Sequence, residues 1–226
     1  MFRLALKKIG LVTIGQSPRS DILPDMLMIL GDGYEVLEVG ALDDYSTEDI
    51  KKLEIKQGDP ILVTRMKDGT EVKVTKDFIV PKIQEGINQL DKEGVNVILL
   101  LCTGKFPEFK SSSLIVMPSE LVRGAVNASL RKGRLGVIYP AREQMAKARE
   151  EWGREDLQVY ADWASPYGDE KHVDALADRL SKQDLDLILL NCMGFNYRMK
   201  QMVVQKTGRP VIQANALVAR VLKELT

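Results

Sequence analysis

The sequence predicts an α/β fold of two pseudo-symmetric lobes, each a parallel sheet flanked by helices. Three observations predict the two-lobed α/β part. Short apolar runs alternate with amphipathic stretches along the whole chain, which is the pattern of parallel strands joined by crossover helices. Two of those runs, VNVILLL and DLDLILL, are nearly continuous in Val, Ile and Leu, as a strand covered on both faces must be. The opening KIGLVTIGQSPR is echoed by RLGVIYPAREQM: a basic residue, an aliphatic one, Gly, then an apolar strand ending in a polar, Pro-containing loop.

The first strand runs from Ile9 to Ile14 and ends in the loop Gly15-Gln16-Ser17-Pro18-Arg19. An apolar-periodic helix follows over about 20–30, then an alternating strand over 34–39. Ser46 is an N-cap for a short helix, because its hydroxyl can accept from the backbone three residues on. ILVTRM and TEVKVTK flank Asp68-Gly69, the strongest hairpin signal in the chain, so a β-hairpin is expected at about 60–76. Its alternating Ile61, Val63, Val72 and Val74 imply an apolar face that wants cover, and an isolated ribbon is only marginally stable in water. That face motivates a homodimer. A helix over about 77–92 leads to the strand 95–101 and Cys102; a short strand at 114–117 and a helix from 118 to 132 follow.

The second half restarts at Arg134. A helix over about 141–152, a strand at 158–162, a helix over 169–182 and a strand at 185–190 lead to Cys192. A helix beyond Asn196, the strand PVIQ and a terminal helix close the chain. The stretch from Gly10 to Cys102 exceeds that from Gly136 to Cys192 by about the length of the 46–76 block, so the halves match if that block is an insertion. The expected domains are 1–119, with 214–226 packing back on it, and 120–213.

Composition excludes several classes. Lys+Arg and Asp+Glu both number 32, so nothing draws the chain electrostatically to nucleic acid or an anionic membrane. No apolar run approaches the roughly 20 residues of a membrane span. The amino terminus runs directly into a strand, without a separate signal-peptide core and cleavage site. With two cysteines in 226 residues, a reducing cytoplasm is expected rather than a disulfide scaffold.

Those two thiols are the main chemical signal. Each closes a strand, in Cys102-Thr103-Gly104 and Cys192-Met193-Gly194, and the carboxyl end of a parallel strand opens onto the crevice where α/β proteins bind ligands. A Gly-containing turn exposes backbone N–H groups that favour a thiolate. Two thiols across one crevice suit a reaction in which a proton leaves one face of a carbon and returns on the other. The bland alternative is a pair of inert core thiols. Zinc needs about four ligands, and the lone His172 lies on a predicted solvated helix, so no metal site is expected.

The loop after the first strand offers Gln16, Ser17 and Arg19 to a carboxylate at a helix N-terminus; the alternative is a capped loop with a surface Arg. It is not a phosphate loop, having neither G-x-G-x-x-G nor a Walker Lys. The matching loop of the second half offers Tyr139 and Arg142.

The segments KIGLVTIGQSPRSD, LLLCTGKFP and LNCMGF, with the tail GRPVIQANALVARVLKEL, resemble AroM proteins, a family related to the aspartate/glutamate racemase superfamily. The resemblance spans nearly the whole chain. It implies two pseudo-symmetric α/β lobes, chemistry by two thiols with no cofactor, and a small, anionic substrate. In that pattern Cys102 and Cys192 are catalytic and Thr103 helps to hold the substrate carboxylate; Gly104, Met193 and Gly194, beside the two thiols, are expected to line the substrate. Relatives usually carry Thr after the second Cys; Met193 makes that position more apolar and points away from an amino-acid substrate.

The expected function is a racemase- or isomerase-like enzyme acting on a small carboxylate or cyclic compound. A non-catalytic small-ligand binding protein on the same fold is the alternative, and a redox role for the thiols the third. Reactive thiols would favour the enzyme and unreactive ones the binding protein.

Overall fold

A computed structural model describes residues 6–226. The part of the leader-peptide reading that concerns residues 1–5 lies outside them. The chain forms two units: the described residues up to Ser119 with Ala219–Thr226, and Glu120–Val218.

In the first unit, β1 (Lys7–Thr13), α1 (Leu23–Leu30), β2 (Tyr34–Gly40) and the short α2 (Thr47–Lys51) come first. The hairpin β3 (Ile61–Arg65) and β4 (Glu71–Thr75), α3 (Lys76–Lys92), β5 (Val97–Leu100) and β6 (Leu114–Val116) follow. Strands β2-β1-β5-β6 make one sheet, all parallel. Helix α3 lays Ile79, Ile83, Ile87 and Leu90 on it, a stripe at helical spacing that meets Val12, Ile98 and Leu100. Ser46 caps α2 with a reciprocal box to Asp49, and Thr75 caps α3, each contributing about 1 kcal/mol.

Helix α4 (Pro118–Ser129) leads into the second unit. There β7 (Gly133–Tyr139), α5 (Ala148–Trp152), β8 (Leu157–Trp163), α6 (Glu170–Ser181), β9 (Leu187–Leu190), α7 (Tyr197–Thr207) and β10 (Val211–Gln213) precede the terminal α8 (Ala214–Leu225). The sheet order is β10-β9-β7-β8, again parallel. Val173, Leu176, Ala177 and Leu180 of α6 cover Ile138, Ile188 and Leu190.

The two sheets are the same object built twice. β1, β2, β5 and β6 correspond in order to β7, β8, β9 and β10. The register agrees as well: Gly10 pairs with Ile98 and Gly136 with Ile188, while Val12 pairs with Leu100 and Ile138 with Leu190. The extra block of the first unit holds α2 and the hairpin.

Two expectations change. The helix read over 141–152 is a 3-10 helix at Arg142–Lys147 followed by the short α5. None of the 3-10 side chains is buried, so no apolar stripe holds a longer helix to the core, whereas α5 is anchored by Ala148 and Trp152. The hairpin face is also different. Cross-strand partners share a face, and Leu62 pairs with Val74 and Thr64 with Val72, leaving Ile61 and Val63 on the other side. Leu62, Met66, Val72 and Val74 join the core of their own unit. That face of the hairpin is therefore covered within its own unit.

Candidate functional site

In the first unit the carboxyl ends of β2, β1 and β5 lie side by side, and backbone bonds lace their loops together. Leu101 N–H donates to Val12 O at 2.8 Å, Ala41 N–H to Thr13 O at 2.9 Å, and Leu42 N–H to Gly15 O at 3.1 Å. This brings Gln16, Ser17, Cys102, Thr103 and Gly104 to one sheet edge. Cys102 is half-buried, and its sulfur accepts from Gly104 N–H at 3.4 Å. Gly104 lies against Leu62 of the hairpin and Phe106, so this turn has hydrocarbon neighbours.

The loop after β1 does seat a carboxylate, but it is the chain's own. Asp43 accepts from Ser17 N–H at 2.7 Å, from Ser17 Oγ–H at 2.7 Å and from Gly40 N–H at 2.7 Å. A Cβ on Gly40 would collide with Asp43 and with Ser17 N, so only Gly permits the seat. Gln16 clamps two segments, donating to Tyr45 O at 2.9 Å and accepting from Lys67 N–H at 2.7 Å.

Arg19, expected to hold a substrate carboxylate or else to lie on the surface, does not lie on the surface. It is 2% exposed and forks onto Asp21 at 2.9 and 2.7 Å, with a third bond to Thr13 Oγ1 at 2.8 Å. Burial raises the Asp21 carboxyl's pKa, but the Arg19 hydrogen bonds and charge outweigh it and hold the group below its ordinary value. A planar fork is best satisfied by one carboxylate, and Asp21 two residues away supplies it.

In the second unit Asn191 N–H donates to Ile138 O at 2.8 Å, the counterpart of the Leu101 bond. Cys192 is 8% exposed and accepts from Gly194 N–H at 3.5 Å. Met193 is 1% exposed. Tyr139 also turns inward: its hydroxyl donates to Glu151 at 3.0 Å, and burial, then the Glu151 charge, drives its pKa well above the usual phenol value. A strand residue must point to one face or the other, and here the apolar ring takes the buried one. Arg142 is exposed at the start of the 3-10 helix, and His172 is exposed on α6. Among the described residues no group of three or more His, Cys, Asp or Glu is placed to hold a metal ion, and no helix is long and apolar enough to cross a membrane.

Two residues escaped the sequence reading. Asp43 lies three positions past the end of β2, and Tyr167, in the loop after β8, places its hydroxyl 3.8 Å from Cys192 Sγ. The signal was available, since both follow strand carboxyl ends; nothing in spacing alone says which loop residue turns inward.

The fold has solved counterparts. A glutamate racemase of Bacillus anthracis matches at 13% identity with TM-score 0.61, over 97% of this chain and 81% of the racemase. A maleate isomerase of Pseudomonas putida matches at 13% identity with TM-score 0.62, over 97% and 93%. An allantoin racemase of Klebsiella pneumoniae matches at 12% identity with TM-score 0.60, over 97% and 87%. At these identities the likeness is one of fold. No curated protein matches by sequence. The AroM protein family model matches residues 9–226, nearly the whole chain, and the chain belongs to the AroM family.

Proposed function

We propose that this protein is a racemase- or isomerase-like enzyme in which Cys102 and Cys192 exchange a carbon-bound proton of one small substrate, without a cofactor. One observation carries the reading. The equivalent strands β5 and β9 are each followed by a cysteine two residues past their last, equivalently paired residue, and each sulfur accepts from the backbone N–H two residues later. A backbone donor aimed at sulfur stabilises the thiolate, the form that removes a proton. Two inert core thiols have no need of that repetition.

In the proposed reaction one thiolate takes a proton from an acidic carbon. The S–H bond forms as the C–H bond breaks, and the electron pair remains on the substrate. The other thiol returns a proton to the opposite face and becomes the thiolate. Thr103, Gly104, Met193 and Gly194 are proposed to line the substrate, with Arg142 beside it; Gln16, Ser17 and Arg19 hold the loop. Since Ser17 already binds Asp43, a fixed negative charge stands at that edge. The reading therefore favours a cyclic substrate, or one carboxylate with a hydrogen-bond donor, over a dicarboxylate. It also places the protein in the cytoplasm, where thiols stay reduced.

Incubation in D2O with a panel of amino acids, hydantoins and small carboxylates tests this. The expected result is deuterium at the acidic carbon of one class and loss of optical purity, with no added metal or cofactor. Tight binding of one compound without exchange would instead establish a ligand-binding protein on the same fold.

A further inference from the structure

We propose that Lys76, where the hairpin meets α3, binds the carboxylate of a substrate that reacts at Cys102. The substrate class is then a compound with one carboxylate, not an uncharged ring. That Cys102 is a reacting thiol rests on the reading above; the anion site beside it does not.

Around the β1 loop and the hairpin, charges are mostly answered from within the chain. Arg19 and Arg65 both face Asp21, at 2.7 and 3.6 Å. Lys82 donates to the Tyr45 hydroxyl and lies over the rings of Tyr45 and Phe78, at 4.5 and 5.0 Å from their centroids. Lys76 differs. It is half-buried, its ammonium lies 5.8 Å from the centroid of the Phe106 ring, and none of its three N–H donors meets an oxygen among the described residues. An aromatic face attracts a cation without neutralising it. An arriving carboxylate can therefore take charge-assisted hydrogen bonds from Lys76 without displacing another acid.

Phe106 connects this ammonium to the thiol. A Cβ on Gly104 would lie 3.3 Å from Phe106 Cε2 and 3.4 Å from Cys102 Sγ, so the ring edge and the sulfur flank one turn. Leu62 of the hairpin is 3.0 Å from the same point, and Cys102 and Phe106 both pack on the core that the hairpin and α3 share. Lys76 is the first residue of α3, whose opening turn is held where Phe78 N–H donates to Thr75 Oγ1 at 3.4 Å. One ammonium takes one carboxylate. The Asp43 carboxylate, seated in the β1 loop of the same sheet edge, opposes a second.

Paired alkylating reagents test this without a known substrate. Iodoacetate and iodoacetamide offer the same carbon to a thiolate, which displaces iodide from both, but only iodoacetate carries a carboxylate. In Cys192→Ser protein both reagents report Cys102. The ratio of the iodoacetate rate to the iodoacetamide rate is divided by the same ratio for the protein unfolded in urea. The quotient should be about three at low salt, the worth of one partly exposed ion pair, and should fall as salt rises. Adding Lys76→Gln should return it to about one, and Lys76→Arg should keep most of it. Lys105→Gln, at an exposed neighbour of the turn, should leave it unchanged. A quotient of one or less before any change at Lys76 overturns the proposal, and this comparison holds even where a Lys76 variant does not fold. A quotient unmoved by Lys76→Gln, an equal fall with Lys105→Gln, or a Cys102 that neither reagent modifies overturns it as well. Preference for iodoacetate in a protein that exchanges no substrate proton would overturn the enzymatic reading and leave the anion site standing.

Discussion

The two units share a sheet and differ in what they place around their cysteines. Strand order, register and the lacing bond from the residue before each cysteine are the same. In the first unit the hairpin contributes Leu62 next to the Cys102 turn, and Asp43 fills the seat in the β1 loop. In the second there is no hairpin, and the loop after β8 supplies a phenol. A repeated scaffold fixes where a thiol can stand; loops that differ between the units then set its surroundings. Thiols in equal positions need not be chemically equal.

Removing either thiol tests that comparison with the largest effect. Cys102→Ser and Cys192→Ser should each lower inversion by about 10³-fold or more, measured by chiral chromatography, because a serine hydroxyl is far too weak an acid near neutrality. The sharper outcome is asymmetry: each variant retains exchange from one enantiomer only, through the remaining sulfur. Wild-type inversion in both would reduce the likeness of the two turns to architecture.

Arg19→Ala should cost about 3 kcal/mol in denaturant unfolding, because it strands Asp21 without its buried partner. Unchanged stability with weakened substrate affinity would give Arg19 the binding role that the sequence indicated. Val74→Ala, at a position 0% exposed, should cost about 2 kcal/mol for two lost methyl groups and the cavity they leave. Light scattering of that variant should match the parent, since the hairpin face is internal to its unit. A changed oligomeric state would break this account of the hairpin.

Much of the fold was legible because hydrophobic period and loop chemistry are local. Continuous apolar runs announced buried parallel strands, Ser46 and Asn196 announced helix starts, and Asp68-Gly69 announced the hairpin turn. The repeat around Gly10 and Gly136 was legible because the strand passes close to Leu90 in one unit and Leu185 in the other, where an added Cβ would press on a leucine methyl. What failed was pairing. The face of the hairpin depends on its cross-strand register, and a one-residue difference in that register exchanges every side chain between faces.

The sequence by itself determined the α/β class, the duplicated strand skeleton and a cysteine closing each half, because periodicity and glycine placement act through near neighbours. Only the tertiary structure decided that Arg19 meets Asp21, that Ser17 meets Asp43 and that Tyr167 meets Cys192. A charged or polar side chain takes whichever partner the folded loops bring within about 3–4 Å, and the choice among several such partners is not written at any one position in the chain.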